Sequence, residues 1–249
     1  MEWRDNGTII GVRRHGETSV VLELMTSEHG RHLGLVHGGR SRKKQPILQP
    51  GNAVEAQWRG RLDEHLGTYT VEPVKLRAGA LMESAVALHG MQAAAALLRL
   101  LPEREQHAKL SEGLEVLVDH LEQPDLAAAL MIRFELQVLD DLGYGLDLDR
   151  CAVSGRTDDL THVSPGTGRA VSRDEAAPYA DRLLELPSFL SGGVRPGDNR
   201  AGTLDDLLAG FELTGHFLER YRHEAAIRPP KDDLDPRADF IDAVRRAMS

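Results

Sequence analysis

From Gly7 to about Val74 the apolar side chains recur at every second position. In Val20-Val21-Leu22-Glu23-Leu24 and in Val54-Glu55-Ala56-Gln57-Trp58-Arg59 the even positions are apolar and the odd ones mostly polar, as a strand with one buried face requires. Turn residues punctuate the pattern: Thr26-Ser27-Glu28-His29-Gly30 precedes a run from Arg31 to His37, Gln49-Pro50-Gly51-Asn52 precedes the fourth run, and Asp63 to Gly67 precedes Tyr69 to Val74. The pattern predicts five short strands. In a stretch of about 75 residues they are most economically closed into a small barrel, because closure removes sticky edges; the oligonucleotide-binding barrel is the commonest such form and an SH3-like barrel its rival.

After Val74 the period becomes helical. Leu110, Leu114, Leu117 and Leu121 form one stripe, Leu130, Phe134, Val138 and Leu142 a second, and Leu204, Leu207, Leu208, Phe211, Leu218 and Tyr221 a third. An Ala-rich helix is expected from near Leu81 to Pro102, and Gly143-Tyr144-Gly145 ends the helix carrying Phe134. Between Leu146 and Ser172 the helical period disappears, and Thr161 to Ser172 reads as a small hairpin about Pro165-Gly166. Pro229 to Asp235 is a charged, proline-led linker into a short last helix. The predicted class is α+β: a five-stranded barrel over residues 1–78, then a mainly helical domain over 79–249 with a hairpin insertion at about 147–172.

Composition changes this picture little, and charge changes it more. Of 249 residues, 41% are hydrophobic and 28% charged, which is ordinary for a globular chain, and the single cysteine, Cys151, excludes an internal disulfide. The start lacks a basic leader with an apolar run, and the most apolar segment, Ala80 to Leu101, is broken by Glu83, His89, Gln92 and Arg99, so a cytoplasmic protein is expected. The net charge of −9 averages two segments of opposite sign. Residues 1–80 hold 12 Lys and Arg against 9 Asp and Glu (+3), while the remainder holds 18 against 30 (−12). A basic amino-terminal module fits a polyanionic partner.

The densest cationic feature is Arg40-Ser41-Arg42-Lys43-Lys44, entered through Gly38-Gly39 and closed by Pro46. Between the third and fourth strands, such a turn can track a phosphate backbone and release its condensed counterions. Arg13 and Arg14 at the first hairpin, with Arg59 and Arg61 at the next, would extend the patch. Trp58 and Tyr69 are the candidate stacking surfaces, although Trp58 falls on the apolar, even-numbered face and so points to core packing. Enzyme signatures are weak: His37-Gly38-Gly39 has no Gly-x-Ser-x-Gly elbow to serve, His223-Glu224 lacks the second histidine of a zinc protease, no phosphate-cradling loop is present, and Asp140, Asp141, Asp147 and Asp149 read as solvated acids.

These segments resemble the bacterial RecO recombination-mediator family. Gly11 to Gly30 looks like that family's first hairpin, and Val36 to Lys44 like its basic turn. Leu48-Gln49-Pro50-Gly51 with Trp58-Arg59-Gly60-Arg61 looks like the family's next stretch of barrel, and Arg133-Phe134-Glu135 with Leu142 to Gly145 like its central helix and its end. The resemblance implies an oligonucleotide-binding barrel joined to a helical domain, single-stranded-DNA binding, annealing of complementary strands, and help in loading RecA onto DNA coated by single-stranded-DNA-binding protein. It implies two protein partners, RecR and the acidic carboxy-terminal tail of single-stranded-DNA-binding protein, with Arg133 the candidate for gripping that tail beside an apolar groove. Many relatives insert a zinc ribbon with two Cys-x-x-Cys pairs where this chain has Cys151-Ala152-Val153-Ser154. Ser154 stands at the second ligand position and no second pair is found downstream, so no zinc and no other cofactor is expected. The hairpin would instead be held by turn hydrogen bonds from Ser154, Asp158, Thr161 and Ser164.

The sequence therefore reads as a non-catalytic DNA repair and recombination mediator. The alternative is a protein interaction adaptor whose basic loop docks on an acidic partner, and a small hydrolase is third.

Overall fold

A computed structural model describes residues 1–62, 64–191, 202–227 and 235–249. The five expected strands are present: β1 (Glu2–His15), β2 (Ser19–Thr26), β3 (Gly30–Val36), β4 (Ala53–Arg59) and β5 (Thr68–Lys75). They close into a barrel in the order β1-β2-β3-β5-β4, antiparallel throughout except where β3 meets β5 in parallel at Leu35 and Thr68. The long β1 makes closure possible, its first half pairing with β4 and its second with β2. A break in register between Ile9 and Gly11 is the kind of irregularity that bends a strand across a barrel corner. Ile9, Val20, Leu22, Leu24, Val36, Val54, Ala56, Trp58 and Tyr69 fill the interior, and Leu48 is added from the connection between β3 and β4.

Two boundaries differ from the sequence expectation. β1 starts at Glu2 rather than near Gly7, because Trp3 pairs with Trp58 across the β1–β4 ladder and Asp5 turns inward to bond the β2–β3 turn. The Ala-rich helix is shorter than Leu81 to Pro102. A single turn, α1 (Ala78–Leu81), is followed by α2 (Ala85–Leu98), which Ser84 caps by accepting from Ala87 N–H.

The chain forms two compact units, Met1–Glu122 and Gln123–Ser249. The change from strand to helix falls at residues 75–78, yet α1, α2 and α3 (Ala108–His120) stay with the barrel. Arg77, buried, donates to Asp119 (2.6 Å) and to Glu115, and Glu115 in turn accepts from Thr8 of β1.

In the second unit, α4 (Pro124–Asp141) packs against α6 (Leu204–Glu224) and α7 (Pro236–Met248). α4 begins with Pro124 and ends as expected at Gly143 (φ +82°), with Tyr144 N–H on Leu139 O (2.7 Å) and Gly143 N–H on Asp140 O (3.0 Å). Thr203 and Asp206 form a capping box at α6, and Asp235 caps α7. The expected hairpin is β6 (Leu160–Val163) with β7 (Ala170–Ser172), followed by the single turn α5 (Arg173–Ala176). The two-residue β8 (Leu184–Glu185) adds a third strand that the periodicity did not show. Residues 229–234 of the expected linker lie outside the described residues, as does Asp63 of the β4–β5 turn.

Candidate nucleic-acid interface

The connection from β3 to β4 is built to hold cations at the surface while its backbone is anchored. Gly38 takes a left-handed conformation (φ +62°), and a Cβ on Gly39 would lie 2.6 Å from Val20 Cγ2, so only glycine lets the chain pass so close to β2. Successive turns come next, with Ser41 N–H on Gly38 O (3.0 Å), Lys44 N–H on Ser41 O (3.0 Å) and Leu48 N–H on Lys44 O (2.9 Å). Leu48 then inserts into the core, and buried Asn52 bonds Pro46 O and Ile47 O (both 2.9 Å) while accepting from Arg77 and Ala78 N–H.

This turn rests on the tip of the β1–β2 hairpin. Arg40 N–H donates to Thr18 O (3.0 Å) and the Arg40 guanidinium to Glu17 O, so the turn adjoins the tip whose β1 arm carries Arg13 and Arg14. Lys44 Nζ donates to His37 O (2.8 Å). Arg13, Arg14, Arg40, Arg42 and Lys43 are exposed and Lys44 half-buried, and among the described residues none of the six has a carboxylate within ion-pair distance. The side chains of Arg40 and Lys44 meet backbone carbonyl oxygens, and no described carboxylate compensates the charge of any of the six. Leu35 N–H donates to Gly67 O (3.1 Å), bringing Gly67 of the β4–β5 connection beside the end of β3, while Arg61, earlier in the same connection, is exposed.

Arg59 is different. It lies opposite Glu2 in the β1–β4 register and pairs with it at 3.0 Å; the guanidinium holds the Glu2 carboxyl below its usual range. Its charge is already neutralised. Trp58 packs in the core as its place on the apolar face predicts, fully buried with Nε1–H on Leu66 O (3.0 Å), whereas Tyr69 as a stacking surface needs correction, being buried with its hydroxyl on His32 Nδ1 (2.9 Å). Neither offers a free ring face. The aromatic surface that sequence reasoning missed is Trp3, half-buried and stacked on His29 with centroids 4.0 Å apart. The alternation read from Gly7 onward did not reach Trp3, and its position opposite Trp58 appears only in the ladder.

In the second unit, Arg133 is buried on α4. Its Nη2 lies 3.4 Å from Phe189 O, its guanidinium carbon sits 5.2 Å from the Phe189 ring centroid, and Gln137 bonds Asp141 rather than Arg133. It borders a cavity of about 210 Å³ lined also by Leu136, Leu146, Leu148, Gln137, Asp140 and Asp149.

Where a zinc ribbon would hold its metal, buried Cys151 Sγ accepts from Ser172 N–H (3.3 Å), Ser172 Oγ (3.4 Å) and Ser154 N–H (3.5 Å). Burial pushes this thiol up, and the bonds from Ser154 and Ser172 outweigh it and bring it down to about 6. The donor set does not fit zinc: one sulfur is present, Ser154 offers a hydroxyl where a second thiolate would be needed, and no group of three or more His, Cys, Asp or Glu among the described residues is placed to hold an ion. Of the four residues expected to hold the hairpin, Ser164 closes its turn through its carbonyl (Gly168 N–H, 2.8 Å), and Ser154 reaches Ser172 of β7 through its hydroxyl (3.5 Å) as well as through Cys151. Asp158 is instead taken by Arg156, and Thr161 bonds the neighbouring His162 ring. No described helix is long and apolar enough to cross a membrane.

Comparison with known proteins agrees along the whole chain. Residues 1–77 match the family described as Recombination protein O N terminal, and residues 82–225 match Recombination protein O C terminal. The chain is 58% identical to the DNA repair protein RecO of Rhizobium etli (strain CIAT 652), over 100% of this chain and 94% of that protein. It is 51% identical to the DNA repair protein RecO of Brucella abortus (strain 2308), over 100% of this chain and 98% of that one.

Proposed function

The chain belongs to the RecO family of DNA repair proteins, and from that membership we propose that it is a non-catalytic recombination mediator that grips single-stranded DNA through the basic end of its barrel. The observation that carries this reading is the group Arg13, Arg14, Arg40, Arg42, Lys43 and Lys44, gathered by backbone hydrogen bonds on one end of the barrel and without carboxylate partners among the described residues. Such cations bind phosphates with little sequence preference. Holding two strands close while screening their repulsion would promote annealing, and RecR and the delivery of RecA to coated DNA are the partner and the role proposed with it.

The acidic tail of single-stranded-DNA-binding protein is assigned to the cavity beside Arg133, where a cation borders Leu136, Leu146 and Leu148. Arg133→Ala should weaken a tail peptide at least tenfold by fluorescence anisotropy and leave DNA affinity unchanged; equal loss of both discards the assignment.

Titration of a fluorescent oligonucleotide at two salt concentrations tests the main reading. Affinity should fall steeply as salt rises, and a lack of binding at low salt overturns it. One observation favours the adaptor alternative: Val74, Leu76 and Met82 are exposed where β5 runs into α1. That reading gains if oligonucleotides fail to bind while a protein partner is retained.

A further inference from the structure

Three aromatic rings run in sequence from the barrel core to its surface. Trp58 and Trp3 are 5.9 Å apart and 16° from parallel, and Trp3 and His29 are 4.0 Å apart and 10° from parallel. His32 and Tyr69 brace Trp3 edge-on at 5.0 Å and 5.8 Å, fixing its plane. His29 is fixed too. Its Nδ1 lies 3.2 Å from Asp5 Oδ2, and the same carboxylate accepts from Ser27 Oγ and Glu28 N–H (both 2.9 Å), so the turn carrying the imidazole is tied to β1.

Trp3 covers one face of the imidazole and Asp5 occupies its Nδ1 edge. The side chain stays 30% exposed, and among the described residues no ring other than Trp3 stacks on it. A braced, stacked column with an open last plane accepts one more flat ring, and every nucleobase supplies one. β3 leads from this column to the basic turn: Gly30 to Val36 spans about 20 Å at the rise of an extended strand.

We infer that the outer face of His29, backed by Trp3, is a base-stacking step for single-stranded DNA, set along β3 from the cations that hold the phosphates. This rests on the proposal that the chain binds such DNA, and adds a contact to the bases. The basic turn tracks the backbone, whereas the His29 step senses whether a base is attached.

The test uses the full chain and two oligonucleotides of equal length, oligo-dT and its abasic counterpart, which carry the same phosphates. The unsubstituted protein should bind oligo-dT more tightly. His29→Ala should weaken oligo-dT about tenfold, leave the abasic strand unchanged, and be rescued by His29→Phe. Equal affinity of the unsubstituted protein for both strands, or equal loss for both in His29→Ala, overturns the stacking step and leaves the mediator reading standing. Failure to bind either strand overturns both. Should His29→Ala fail to fold, tryptophan emission of the unsubstituted chain decides. Of its two tryptophans Trp58 is fully buried, so oligo-dT but not the abasic strand should quench Trp3, and equal or absent quenching overturns the inference.

Discussion

Asp5 sits between exposed Arg4 and Asn6 on β1, yet it is only 9% exposed. Burial pushes its carboxyl up, and hydrogen bonds from Glu28 N–H, Ser27, His29 and Thr26 together outweigh that effect and hold it below the usual range. A carboxyl lowered on folding contributes stability that is present above its unfolded pKa and is lost as pH falls through the folded one. Replacing Asp5 with Ala should therefore cost about 2–3 kcal/mol near neutral pH, because charge-assisted bonds are removed and donors are left unpaired. In chemical denaturation the difference from the unsubstituted chain should hold down to about pH 4 and shrink below it. A difference that grew on acidification would contradict the assignment. Arg133 is the opposite case, a cation whose side chain is buried against Phe189 and borders the cavity lined by Leu136, Leu146 and Leu148.

At the scale of elements, α7 is held by an ion pair that the helical pattern does not announce. Arg237 donates to Glu135 of α4 at 2.7 Å and 3.1 Å, to Phe211 O at 2.6 Å and to Thr214 Oγ1 at 3.2 Å, while Glu135 is fully buried. Phe240, Ala243 and Val244 supply the apolar contacts of the same helix. Removing one member of such a pair strands the other charge in a low-dielectric interior. Arg237→Met should destabilise by about 3–5 kcal/mol, and adding Glu135→Leu should recover most of the loss. Equal stability of the single and double variants in urea would show that the pair is not what fastens α7.

For the molecule as a whole, a net charge of −9 does not forbid binding a polyanion. Exposed charges farther apart than about 10 Å are largely screened at 0.1 M salt, so the local cluster decides. Each phosphate contact on a single strand contributes about 0.7 to the slope of log affinity against log salt, so replacing Arg40, Arg42, Lys43 and Lys44 together with Ala should reduce that slope by about 3. Arg59→Ala should change it by less than one contact, because Glu2 already neutralises that guanidinium. An unchanged slope in the fourfold variant would move the DNA site elsewhere on the chain.

The sequence by itself determined the strands, most helices, the turns between them and the basic segment, because alternation, helical stripes and Gly or Pro punctuation are set by side chains close along the chain. Tertiary structure decided which of those residues are available. Ladder pairing set Glu2 against Arg59, 57 residues apart, and cancelled a cation that the sequence left free. Barrel closure turned Tyr69 inward beside Trp58, whose burial the alternation already indicated, and the β2–β3 turn brought His29 onto Trp3. Contacts between residues remote along the chain leave no mark on local periodicity, so charge compensation and ring exposure emerge only once the barrel is closed.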